Sequence, residues 1–305
     1  MSLLGTNNTK WALFLGSNSG TPENRHILDL AYGLACLENA GIQPHAINIY
    51  IDGKDRKVIS SLIDLGSQNK YVIKETNDFF DELKTNTSQN LVVFITGHGN
   101  QYGIDASQQI TPYNLISSLK NSSNLERAVV YLGQCFAGVF NYVRAGRSDR
   151  QDKYDTDIIL IGATNLQESI SSSTTEYFPA IPQGFTWVAN IFLLYVFKWF
   201  SSPFDIDGDG IFTIMDSYKY AGVMANSSHL RTKAGTLYKT LNFYSELKEY
   251  VDICQNPTGV IQTDMQNKLK LDAIEKQYLS SSNLHNTHQE CWILNSIPAQ
   301  SIKIK

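Results

Sequence analysis

The chain lacks what a secreted, disulfide-stapled domain would carry. Its 305 residues include four cysteines, Cys36, Cys135, Cys254 and Cys291. No two of them form a CxxC pair or a zinc-ligand spacing, which favours free thiols in a reducing compartment. A basic excess is missing too: 25 Lys and Arg against 29 Asp and Glu give a formal net charge of −4. The cations are scattered rather than gathered into a stripe that could neutralise phosphates, so nucleic acid is a poor candidate partner. The opening MSLLGTNNTKWALFLG has no basic stretch followed by a long apolar one. A secretory signal is therefore not expected, and the chain should be cytoplasmic or exported without an N-terminal signal peptide. Long hydrophobic runs are also scarce. The most apolar stretch, Phe185 to Phe200, is interrupted by Asn190 and Lys198 and falls short of the roughly 20 residues a membrane span needs. It reads as a buried or half-buried helix, with an interfacial segment as the alternative, and no transmembrane segment is expected.

What is present is an alternation. Strand-length apolar runs occur at Trp11–Leu15, Ile47–Ile51, Leu91–Ile95, Val129–Leu132 and Ile158–Ile161. Most are continuous rather than alternating, as in strands covered on both faces. Between the first two, His26–Asn39 has apolar residues at helical spacing and Gly41 just beyond as a stop signal. Between the third and fourth, Thr111-Pro112 supplies an N-cap and a first-turn proline for a helix through Leu119. This is an α/β plan with a largely parallel central sheet flanked by helices. The Ser/Thr-rich stretch Glu168–Glu176 reads as a flexible surface loop near the active edge of that sheet. The expected organisation is one domain over residues 10–240 and a C-terminal helical appendage over 241–305.

Two strands end in reactive side chains, at Thr96-Gly97-His98-Gly99 and at Leu132-Gly133-Gln134-Cys135. Ligands of open parallel sheets sit beyond the carboxyl ends of the strands, so neighbouring strands would present both groups to one crevice. An imidazole in reach of a thiol can take its proton and return one to a leaving amine. The backbone N–H groups of Gly99 and Cys135 are the natural donors to a tetrahedral oxyanion. The pattern points to a cysteine nucleophile acting through an acyl-thioester, with a protein or peptide as substrate. Cys36, Cys254 and Cys291 read as structural.

A second constellation is Asp205, Asp207, Asp209, Ile211 through its carbonyl, Thr213 and Asp216, with Gly210 at the sixth place. The spacing is that of a twelve-residue calcium loop, so a structural Ca²⁺ or similar hard cation is expected, outside the chemistry. Asp216 stands where such loops usually have Glu.

Further motifs extend the pattern: Trp11-Ala-Leu-Phe-Leu-Gly16-Ser17-Asn18, Asn24-Arg25-His26 with Asp29 and Tyr32, Gly41-Ile42, and Ala163-Thr164-Asn165 with Glu168-Ser169. Together with Thr96-Gly97-His98-Gly99, they resemble the legumain family of cysteine peptidases over about residues 10–200. The family includes asparaginyl endopeptidases and the catalytic subunit of glycosylphosphatidylinositol transamidase. The resemblance implies a caspase-like fold, a His98–Cys135 dyad, no catalytic cofactor, and cleavage after Asp or Asn with Arg25 lining the specificity pocket. It also marks departures. Gly133 stands where the family has an acidic pocket residue, and Phe185 where a second carboxylate is expected, which would leave a more positive pocket and favour Asp. The asparagine that helps orient the family's histidine corresponds either to Asn24 or is replaced by Glu23. The same fold would also suit a transamidase or ligase, or a catalytically silent, calcium-stabilised scaffold.

Overall fold

Continuous apolar strands have to be covered on both faces, and the chain supplies helices between them for that purpose. The computed structural model describes residues 3–4, 8–147, 155–286 and 289–304. In chain order the first half comprises β1 (Thr9–Gly16), α1 (Asn24–Asn39), β2 (Ile47–Ile51), α2 (Arg56–Ile63), β3 (Ile73–Lys74), α3 (Thr76–Lys84) and β4 (Asn90–Gly97). A short antiparallel pair follows, β5 (Gly99–Asn100) and β6 (Gly103–Ile104), then α4 (Pro112–Lys120), β7 (Arg127–Leu132) and β8 (Asp157–Gly162). The remainder is β9 (Ser171–Phe178), β10 (Ile181–Asn190), α5 (Ile191–Ser201), α6 (Ile214–Gln255), α7 (Ile261–Asn286), β11 (Trp292–Leu294) and α8 (Ser296–Ala299).

The five strands expected from sequence lie within β1, β2, β4, β7 and β8, in a seven-stranded sheet of order β11-β8-β7-β4-β1-β2-β3. All its pairings are parallel except that of the edge strand β11 with β8. After β1 the chain builds outward to β2 and β3, then returns to the other side for β4, β7 and β8. The sheet therefore reverses direction between β1 and β4, the place where α/β sheets open a crevice at their carboxyl ends.

One face of the sheet is closed by α1 and α5, the other by the side chains of α3 and α4. On the first face Phe94 of β4 stacks on Tyr131 of β7, ring centroids 5.2 Å apart, and Phe200 of α5 sets its ring edge-on against both. Gly33 lets α1 meet α5: a Cβ there would overlap the Phe197 ring. Thr111 caps α4 by accepting the Asn114 N–H at 3.2 Å, and Gly41 takes φ +88° just after α1, as the stop signals require.

Four expectations change. From Ser171 on, the Ser/Thr-rich stretch is not a loop but β9, hydrogen-bonded antiparallel to β10, and only residues 168–170 lie in a loop. The Thr residues of β9 suit a pleated surface, and Thr175 and Thr186 pair across the ladder at 2.8 Å. The run from Phe185 divides, residues to Asn190 finishing β10 and the rest forming the buried helix α5. Among the described residues no helix is long and apolar enough to cross a membrane. The proposed boundary at residue 240 falls inside α6. The chain divides instead into Met1–Ala225 with Gln289–Lys305, and Asn226–His288. The second unit is an antiparallel helical hairpin turning at Gly259 (φ +79°), with Thr240 facing Ser281 and Tyr244 facing Tyr278. Finally, the last residues belong to the sheet rather than to an appendage. The Trp292 ring covers Gly162, and its Nε1 donates to the Thr164 carbonyl at 2.8 Å.

Trp292 is almost fully buried at the sheet edge. Trp292→Ala is expected to cost about 3–5 kcal/mol, as large-to-small aromatic changes in cores do, measured by chemical denaturation.

Candidate functional site

Strands β4 and β7 are parallel neighbours with Ile95 opposite Leu132. His98 and Cys135 each lie three positions beyond that pair, so the sheet delivers imidazole and thiol to the same end of adjacent strands. The Gly133 N–H continues the ladder onto the Ile95 carbonyl at 2.8 Å. Gly97 turns the chain with φ +113°, conformational space an L side chain avoids. Gly99 then passes so close to the cysteine loop that a Cβ on it would overlap the Cys135 carbonyl oxygen.

The cysteine is held in a fixed turn. Phe136 has φ +55°, a left-handed conformation costing a non-glycine residue roughly 1–2 kcal/mol. It is retained because the loop after β8 ties it down: the Phe136 N–H donates to the Gln167 carbonyl at 2.7 Å and the Gly138 N–H to the Asn165 carbonyl at 3.1 Å. From the same loop the Ser169 N–H donates to Cys135 Sγ at 3.3 Å. That loop is braced in turn by Gln289, whose Oε1 accepts the Ile170 N–H at 2.6 Å. Asn190 caps α5 through the Leu193 N–H and donates from Nδ2 to the Gly133 carbonyl at 2.5 Å and to Ser169 Oγ at 3.3 Å. Sequence reasoning saw Asn190 only as a break in an apolar run and missed Gln289 altogether, since neither lies in a reactive motif.

Between β1 and α1 the chain carries Glu23, Asn24, Arg25 and His26. Glu23, not Asn24, holds the histidine: its Oε1 lies 2.7 Å from His98 Nε2. Its Oε2 accepts from Arg25 Nε at 2.5 Å. Of the two alternatives it is Glu23 that contacts His98, and Asn24 is an exposed residue of the first helical turn. The Arg25 guanidinium beside it, assisted by His98, holds the Glu23 carboxyl at about 2 against an ordinary 4.5, so the group is anionic at neutral pH. With Nε2 engaged, Nδ1 is the His98 nitrogen left for a thiol. Cys135 itself is pushed above the ordinary thiol range, first by burial and further by the nearby Glu168 carboxylate, against the opposing Ser169 N–H and Arg25. It rests as a thiol. Cys36 and Cys291 are pushed by burial to about 12 and are inert.

Of the three expected substrate contacts, Arg25 reaches the site, its Nη1 donating to Ser171 Oγ at 3.1 Å. At Gly133 a Cβ would overlap Leu193 of α5, so an acidic side chain at that position has no room. Phe185 is not brought to Arg25. It pairs with Glu176, five residues along β9 from Ser171, about 17 Å at the strand rise, and packs its ring on Phe178. The expected surplus of positive charge is also corrected, because Glu23 lies on Arg25.

The acidic loop brings part of its ligand set together. Ligand oxygens of Asp205, Asp207 and Asp209 lie within 4.8 Å of one another. Asp205 also accepts the Gly208 and Gly210 N–H groups, both at 2.7 Å, and Asp207 takes Lys219 Nζ at 2.6 Å. The Ile211 N–H donates to Asp209 at 2.8 Å. Asp216 is not with them. One of its oxygens takes the Thr213 N–H and hydroxyl, at 2.9 and 2.7 Å, and the other the Ile206 N–H at 3.2 Å. Thr213 and Asp216 form a capping box at the start of α6.

A concavity lined by Thr9, Lys10, His45 and Glu82 opens at the opposite, amino-terminal end of β1 and β2, away from these groups. No family model matches the chain, and no curated protein matches it. The functional reading rests on the residues and their arrangement.

Glu23 provides a pH test. Its carboxyl is depressed in the folded state, so its stabilisation is complete above about pH 4.5 and is lost as pH falls toward about 2. Glu23→Gln is expected to lower stability at pH 6 by less than about 1 kcal/mol, because the group is half exposed. Thermal unfolding of parent and variant across pH should converge near pH 2.

Proposed function

We propose that the chain is a cysteine endopeptidase that uses Cys135 and His98 through an acyl-thioester and cleaves after Asp or Asn. The observation that carries this reading is the matched exit of His98 and Cys135 from two parallel strands in register, with a bare glycine, Gly99, closing the distance between their loops. The motif resemblance to the legumain family supports the same assignment.

In this reading the resting thiol is deprotonated when substrate binds, because burial disfavours a free thiolate. His98 Nδ1 takes the proton as Sγ bonds to the carbonyl carbon and the carbonyl π electrons move to oxygen. The resulting imidazolium is stabilised by the Glu23 carboxylate on Nε2, as a triad acid stabilises its histidine. The N–H groups of Gly99 and Cys135 stabilise the oxyanion. Collapse breaks the C–N bond, and the Nδ1 proton passes to the leaving amine. Water then attacks the thioester, giving one proton to His98, and the C–S bond breaks as that proton returns to sulfur. Arg25 offers its guanidinium to an Asp or Asn side chain. Because Glu23 shares its charge, preference for Asp over Asn is weaker than a free arginine would give.

We also propose that Asp205, Asp207 and Asp209 hold a calcium ion weakly, the twelfth-place oxygens being committed to Thr213 and Ile206.

A peptide pool incubated with parent and Cys135→Ala proteins, its new termini read by mass spectrometry, tests the enzyme. New termini after Asp or Asn that vanish in the variant are expected; identical digests from both would refute the reading, and amide exchange with an added amine would replace hydrolysis by transamidation. Gly99→Ala, whose Cβ must push the Cys135 carbonyl aside, should lower kcat/KM on the order of 10²–10³-fold, as displacement of an oxyanion donor does, with the fold checked by circular dichroism. For calcium, a dissociation constant near 0.5 mM, within the range of weak loops, implies about 1.4 kcal/mol of stabilisation at 5 mM ion. A thermal shift of that size, abolished in Asp209→Asn, is the expected result.

A further inference from the structure

Beneath the dyad lies a histidine that the chemistry above does not use. His26 is buried, its side chain 4% exposed. Its Nδ1 faces Thr96 Oγ1 at 3.3 Å and Asp29 Oδ2 at 3.7 Å. Asp29 is itself buried and fixed, its other oxygen accepting the Trp187 Nε1–H at 2.9 Å and the Asn190 N–H at 3.2 Å. The opposite nitrogen, Nε2, is buried and has no hydrogen-bond partner among the described residues, although leaving such an atom unpaired costs free energy. The His26 and His98 rings meet edge to face, centroids 5.2 Å apart, and ligand atoms of Glu23, His26 and His98 all lie within 4.8 Å of one another.

We infer that Glu23, His26 and His98 form a binding site for a borderline divalent transition cation, zinc above all, which switches the dyad off. Two imidazoles and one carboxylate are a donor set that suits zinc and its neighbours rather than calcium or magnesium. The Thr96 hydroxyl donates to Asp29 Oδ2 at 3.2 Å and faces His26 Nδ1 at 3.3 Å, so Asp29 backs the imidazole through a hydroxyl relay, the kind of outer partner that orients metal-binding histidines. With Nδ1 engaged there, Nε2 is left as the free ligand atom. Tetrahedral bonds of about 2.0–2.1 Å put ligand atoms roughly 3.3 Å apart. Closing from 4.8 Å therefore asks for at most about 1.5 Å of movement, which Glu23 and His98, both about half exposed, can supply by side-chain rotation.

The ion would take the place of the proton between Glu23 Oε1 and His98 Nε2, while Glu23 Oε2 keeps Arg25. A cation on Nε2 makes Nδ1 a poor base and puts positive charge where catalysis needs the carboxylate to balance an imidazolium. Inhibition rests on the proposed peptidase reading; metal binding does not.

The full chain carrying Cys135→Ala, which removes the thiolate as a ligand, is titrated with Co²⁺ and followed by visible absorption. One equivalent should produce the d–d bands of a four- or five-coordinate nitrogen and oxygen site without sulfur charge transfer, and Zn²⁺ should displace it. A six-coordinate ion at Asp205, Asp207 and Asp209 absorbs too weakly to mimic this. The bands should be absent when His98→Ala is added, an exposed position whose fold is checked by circular dichroism. Asp29→Asn should weaken binding about 10–100-fold. No band at one equivalent, or a band that survives His98→Ala, overturns the site. In the parent, micromolar zinc should stop peptide cleavage and a chelator restore it. Cleavage unaffected by zinc in a protein that shows the cobalt bands would overturn the switch and leave the peptidase standing.

Discussion

The register of β4 on β7 is the constraint on which everything else depends. Ile95 opposite Leu132 fixes how far each strand runs before it turns, and so fixes His98 against Cys135. A slip of one residue would put Phe94 and Tyr131 on opposite faces of the sheet and shift the two reactive groups along the strands by about 3.3 Å. The stacked pair Phe94–Tyr131, with Phe200 closing over both, makes that slip expensive, since aromatic pairs add about 0.5–1.5 kcal/mol each beyond their buried area. The packing that specifies the site lies inside the core.

Much of this was legible in the sequence, for a physical reason. Strands buried on both faces must be written as unbroken apolar runs, and α4 had to announce its start with Thr111-Pro112 because its first N–H groups need a partner. A Cys and a His at the ends of two such runs followed. The hairpin of β9 and β10 was hidden because half-exposed strands tolerate Ser and Thr, whose composition is also that of loops. β11 was hidden by its length: three residues, Trp292–Leu294, carry no periodicity, and only the tertiary partner Gly162 gives Trp292 its meaning. Glu23 was left as one of two alternatives because a register of one residue at a helix start is decided by backbone geometry, not by residue type.

The diversion of Asp216 has the same character. Spacing places it at the twelfth position of a cation loop, but side-chain length decides what it reaches. An aspartate at the third position of a helix is well placed to take the N–H of its own cap residue, and Thr213 is there to complete the box. A glutamate, one methylene longer, could extend toward the three carboxylates.

The charge around Arg25 is balanced without any acidic side chain at Gly133. Leu193 and the Ile95 carbonyl occupy the space a side chain there would need, so tight packing of α5 on the strand ends excludes a carboxylate. A guanidinium partly withdrawn from water still requires a counter-charge. Glu23, two residues before it, supplies that charge, and the same carboxylate reaches His98 with its second oxygen. One group thus does two jobs: it compensates the arginine and holds the His98 ring. In the proposed peptidase, anything that competes for the Glu23 oxygens would therefore act on Arg25 and His98 together, through one side chain.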